Sequence, residues 1–161
     1  MNGAIISECG RYRYVLTRGL NTPLRHVKPV LFIMLNPSTA DAIEDDPTIR
    51  RCIYFAEREG CTSLAVVNLF ALRATNPNDL MVAENPEGAE NNFHIAEQVK
   101  KHRLGLIIAA WGSNKFARFR ADFVCKNFGP FLCLGRTKNG SPRHPLYLAK
   151  TTPLESLLES K

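Results

Sequence analysis

Four short stretches hold the side chains that could do chemistry. Asn36-Pro37-Ser38 breaks off an apolar run, and Asn68 sits inside a second one. Trp111-Gly112-Ser113 closes a third, and His144 stands between Pro142 and Pro145 in a loop that also carries Arg136, Lys138 and Arg143. Each has a plain structural use and a sharper one. Asn36 before a proline suits a turn, or it aims an amide at a ligand or a water. Asn68 must find hydrogen bonds, because a buried amide left unpaired costs about 1–3 kcal/mol. It ties down a loop, or it uses its donor and acceptor to read the edge of a nucleobase. Trp111-Gly112 reads as packing with a tight turn. His144, stiffened by prolines and beside cations, is expected to stay neutral and to donate one hydrogen bond to a developing anion. Asp41, Glu44, Asp45 and Asp46 form an acidic cluster, suited to capping and solvation, or to a carboxylate that orients water or stabilises a cation.

These groups need elements to hold them. Val30–Leu35, Ser63–Phe70 and Gly105–Trp111 are apolar without alternation, the pattern of strands buried on both faces of a parallel sheet. Phe131–Leu134 is a short fourth strand. Asp46 can cap, and Pro47 open, a helix whose face is Ile49, Cys52, Ile53 and Ala56, with Gly60 as its stop. Further helices are expected from Asn91 or Asn92 to about His102, over 114–127, and, short, after Tyr147. Residues 11–20 alternate charged and apolar side chains and read as an edge strand. Residues 71–90 read as a long loop. The alternation of strand and helix predicts a single α/β domain over residues 1–161. It is a three-layer sandwich around a mostly parallel sheet, with four core strands plus N-terminal edge strand(s). Ligands bind beyond the carboxyl ends of such strands, so the four stretches are expected to meet on one rim.

Composition narrows the class. The chain has 161 residues, 45% of them hydrophobic and 22% charged, which excludes a disordered tail, a coiled coil and a collagen-like chain. No apolar run approaches the ~20 residues that span a bilayer, and the first residues show no secretory leader. Cys9, Cys52, Cys61, Cys125 and Cys133 are scattered, with no metal-ligand spacing. They read as reduced thiols of a cytoplasmic protein with no metal. Residues 1–99 hold nine Lys/Arg against twelve Asp/Glu, and residues 100–161 hold twelve against three. That basic half suits an anionic partner, nucleic acid first. The motifs of P-loop, dinucleotide, α/β-hydrolase and zinc-protease sites are missing.

Taken in order, the four stretches resemble the motifs of the uracil-DNA glycosylase superfamily: Leu35-Asn36-Pro37-Ser38, Val67-Asn68-Leu69, Ala110-Trp111-Gly112-Ser113 and His144-Pro145-Leu146. The whole chain is also similar to a bacterial and phage family known as domain of unknown function 1643. The strings that carry this are Leu-Asn-Pro-Ser-Thr-Ala-Asp, Asn-Leu-Phe-Ala, Ala-Trp-Gly and Pro-Arg-His-Pro-Leu-Tyr. The glycosylase resemblance implies that fold, and hydrolysis of the N-glycosidic bond of a flipped base during DNA repair, with no cofactor. It implies that Asn36 positions the attacking water and that His144 stabilises the leaving base. Asn68 reads the base, and Pro37 and Ser38 line its place. Ser113, Ser141, Arg143 and Arg73 contact phosphates, and Leu146 wedges into the vacated stack. The strongest members of the superfamily carry an aspartate where Asn36 stands, and its mismatch-specific branch carries an asparagine; Asp41, or another acid of its cluster, is expected to supply the counter-charge missing at Asn36. Two rival expectations stand beside this one: a non-catalytic module for nucleic acid or a modified base, and an enzyme acting on a free nucleoside or nucleotide.

Overall fold

The unbroken apolar runs become the middle of a sheet. Pro29–Met34 (β3) and Ser63–Asn68 (β4) are buried along almost their whole length, as strands covered on both faces must be. The computed structural model describes residues 1–23 and 25–157. In it β3 pairs in parallel with β4 on one side and with Leu106–Ala109 (β5) on the other, and β5 pairs in parallel with Phe131–Cys133 (β6). Antiparallel strands extend both edges. Arg13–Gly19 (β2) pairs with β4, Gly3–Ile6 (β1) with β2, and Glu155–Leu157 (β7) with β6. Among the described residues the sheet has seven strands, in the order β1-β2-β4-β3-β5-β6-β7.

Helices cover both faces. Pro47–Arg58 (α1) lays Ile49, Cys52, Phe55 and Ala56 on one side of the sheet. Asn91–His102 (α3) and Arg118–Phe128 (α4) cover the other. The α1 boundary follows local chemistry. The Asp46 carboxylate accepts from the Ile49 amide at 2.9 Å, Pro47 needs no partner there, and Gly60 leaves the helix at φ +71°. The loop over 71–90 contains one short helix, Asp79–Val82 (α2).

Two expectations about the edges are corrected. Residues 155–157 form β7 rather than part of a C-terminal helix; the end of that expected helix, 158–161, lies outside the described residues. Backbone groups on the open side of β6 offer hydrogen bonds that a lone turn of helix cannot match. Residues 13–19 are not an edge strand either, because β1 lies outside them.

The β2 correction has larger consequences. Ile5 pairs with Val15 but Ile6 pairs with Arg13, so Tyr14 is the extra residue of a β-bulge. In a regular strand, residues 13 and 18 lie on opposite faces. One bulge residue brings Arg13 and Arg18 to the same face, and both reach the loop between β3 and α1. Arg13 is 2% exposed and donates to the Ala40 carbonyl. Arg18, also 2% exposed, donates to the Asp45 carboxylate at 2.7 Å and to the Asp41 carbonyl at 2.6 Å. Charges that read as solvent-facing are the anchors of the acidic loop.

Candidate functional site

The chain passes from β3 outward to β4 and then crosses back to β5, so the winding reverses between β3 and β5. That reversal opens a crevice at the carboxyl ends of the strands. A cavity of about 420 Å³ lies there, within the ~300–1,000 Å³ usual for small-molecule sites. Asn36, Ser38, Asn68, Ser113, His144 and Leu146 all line it. The four stretches therefore do converge. Trp111 joins them in the wall and also meets Phe131 edge-on.

Asn68 is the last residue of β4 and is 1% exposed. Neither its Nδ2 nor its Oδ1 has a hydrogen-bond partner among the described residues. Its backbone, by contrast, is held firmly. Asn91 of α3 donates to the carbonyls of Asn68 and Leu69 at 2.9 and 3.1 Å, and Arg120 of α4 donates to that of Leu69 at 2.8 Å. The main chain is fixed while the side-chain amide stays unengaged at the cavity wall.

Asn36 is spoken for on one side. Its Nδ2 donates to the carbonyls of Pro37 and Ala74 at 2.9 and 2.8 Å, which knots the loop after β3 to the loop after β4. Only Oδ1 is left to meet a ligand or a water.

His144 reaches the cavity on a braced loop. Arg136 bridges to Pro142, the Arg143 amide donates to Gly135, and the Gly112 amide donates to Pro142 at 2.9 Å. Gly112 sits at φ +79°, a backbone state that favours glycine. The Leu146 amide donates to Nδ1 of His144 at 3.2 Å. A neutral imidazole carries one proton, so this bond leaves it on Nε2 as a donor. Burial pushes the His144 pKa below its ordinary 6.5, and Asp46 opposes that push. The ring is neutral as expected, but the cause is burial rather than a neighbouring cation.

The acidic cluster divides. Asp41 is outside the cavity: its Oδ1 accepts the amides of Ile43 and Glu44, both at 2.8 Å. Those two bonds hold its carboxyl below the usual carboxylate range. The acid in the cavity wall is Asp46, at the start of α1. Pro37 is buried, Arg73, Ser141 and Arg143 lie on loops, and all four are outside the lining. Arg13 does line the cavity, with its Nε unpartnered, and burial brings its pKa down to about 10. The sequence signal for it was slight: an arginine alternating with tyrosines looks like any exposed strand face. Among the described residues, no three His, Cys, Asp or Glu side chains gather as a metal cluster, and no helix is long and apolar enough to cross a membrane.

A family model described as protein of unknown function (DUF1643) matches residues 13–146. The chain belongs to this family. Neither a curated protein nor a solved structure matches the chain. The span shared with DUF1643 begins at Arg13 and ends at Leu146, both of which line the cavity.

Protonation of this DUF1643 chain carries a consequence for its stability. His94, His102 and His144 are all lowered from 6.5, in each case chiefly by burial. Above that pH the rings are neutral folded and unfolded, and nothing is lost. Below it the unfolded chain binds protons first, so stability falls as pH drops through 6.5. Urea unfolding midpoints measured between pH 7.5 and 5.5 will show a steady decline on the acid side.

Proposed function

We propose that the cavity takes a single nucleobase flipped out of nucleic acid, DNA in the first place, and that the chain hydrolyses its N-glycosidic bond. This extends to the chain what its resemblance to the uracil-DNA glycosylase superfamily implies. The observation that carries it is Asn68. A buried amide with neither donor nor acceptor engaged is costly to keep, and an amide matches the paired carbonyl and N–H on a base edge with two hydrogen bonds. His144 Nε2–H supplies a donor for a carbonyl oxygen as negative charge gathers on the leaving base. Lys115, Arg118 and Arg143 are exposed on segments that follow Trp111-Gly112 or precede His144, where they can meet phosphates.

The test is incubation with oligonucleotides, single- and double-stranded, containing uracil, hypoxanthine or mismatches, followed by alkali to reveal abasic sites. Base release, weakening steeply with salt, is the expected result. Asn68→Ala will reduce binding of the released-base substrate by about tenfold or more, the value of a two-bond contact to a buried amide. The same variant will unfold at an unchanged or higher urea concentration, because the lost amide has no hydrogen-bond partner among the described residues. Binding without alkali-labile sites would make the chain a non-catalytic module. Salt-insensitive turnover of free nucleosides would make it a small-molecule enzyme.

A further inference from the structure

Asn36 carries no charge, and its amide nitrogen is tied to two carbonyls. A reaction that builds positive charge on a sugar and draws a proton from water is favoured by an anion in the cavity. Resting on the function proposed above, we infer that Asp46 is the catalytic carboxylate of this chain, taking the proton of the attacking water and facing the sugar as it becomes cationic.

Position is the first argument. Of Asp41, Glu44, Asp45 and Asp46, only Asp46 lines the cavity. Asp41 is folded onto its own loop, and Asp45 is paired with Arg18. Asp46 gives one oxygen to the Ile49 amide, which orients the carboxylate while a second oxygen remains. The same cavity is lined by Asn68 with its unpartnered amide, the independent sign that the cavity is built for a ligand. Electrostatics agree with the placement. The charge of Asp46 strengthens proton binding at both Arg13 and His144, so it acts on the two other ionisable groups of the cavity wall.

The step balances without a cofactor. Water oxygen bonds to the sugar C1′ and its proton passes to Asp46. The C1′–N bond breaks, and its electron pair leaves on the base, held by His144 Nε2–H. The base then takes a proton from solvent, and Asp46 returns its own.

Asp46→Asn is a clean probe, because asparagine caps helices as well as aspartate does. The variant should keep its unfolding midpoint and bind a uracil-containing duplex within about threefold of the parent. Base release should fall by about 10²-fold or more, the usual share of a positioned acid–base group. The His144 ring, followed by NMR titration of the whole chain, should titrate at lower pH than in the parent. That readout does not depend on turnover. An unmoved His144 titration would overturn the assignment even if no substrate were found. Full base release by Asp46→Asn, or its loss in Asp41→Asn instead, would overturn it while leaving the proposed function intact. A parent protein that releases no base from any oligonucleotide would sink that function, and with it this role for Asp46.

Discussion

His144→Ala will slow base release by about 10²–10³-fold, the cost of removing one donor from a site that stabilises a developing anion. The size follows from how the ring is held. With Nδ1 occupied by the Leu146 amide, Nε2–H is the one donor left. Because the loop is braced through Gly112 and Pro142, the donor needs little reorganisation as charge develops. Burial keeps the ring neutral to below pH 6.5, so this arrangement of acceptor at Nδ1 and donor at Nε2 holds through the neutral range. Single-turnover rates on a saturating duplex isolate this step. Substrate binding will change far less than the rate, since the charge that His144 stabilises is absent in the ground state. A rate within a few-fold of the parent would remove His144 from the chemistry.

Arg18→Ala will lower folding stability by about 3 kcal/mol, the low end for breaking a buried ion pair. The low end applies because the Asp45 side chain keeps 27% of its exposure and can partly rehydrate. Arg18 is a hub. Its Nε meets Asp45, its Nη1 the carbonyls of Thr17 and Ala42, and its Nη2 those of Asp41 and Glu44. A single side chain thus satisfies most of the turn that delivers Asp46 to the cavity. Arg18→Lys will recover only part of the loss, because one ammonium cannot fork to a carboxylate and to carbonyls at once. Urea unfolding of the two variants checks both statements. Base release should fall in parallel with the loosening of the 41–46 loop, and equal stability of the alanine variant and the parent would show that the hub is dispensable.

Much of the framework was legible because it rests on local chemistry. A residue run such as Val30-Leu-Phe-Ile-Met-Leu35 can be stable only if covered on both sides. Asp46-Pro47 is a helix start whatever surrounds it, as its bond to Ile49 shows. The convergence of Asn36, Asn68, Trp111 and His144 followed from one rule about parallel sheets, and they line one cavity. What was misread involves partners far apart in the chain. Residues 155–157 contain nothing that announces a strand; they pair with Phe131–Cys133 because that edge is there to be paired.

The amino-acid order by itself determined the alternation of buried strands and capped helices, and which polar stretches leave the strand ends, because those depend on neighbours a few residues away. Only the tertiary structure decided which polar groups in those stretches are engaged and which are open. The bulge at Tyr14 turned two arginines inward, and one of them holds the loop on which Asp41 is consumed and Asp46 is presented. Asn36 lost its donor to Ala74, while Asn68, backed by Asn91 and Arg120, kept both amide atoms unengaged. Hydrogen-bond occupancy is a property of three-dimensional neighbours, and no pattern along the chain states it.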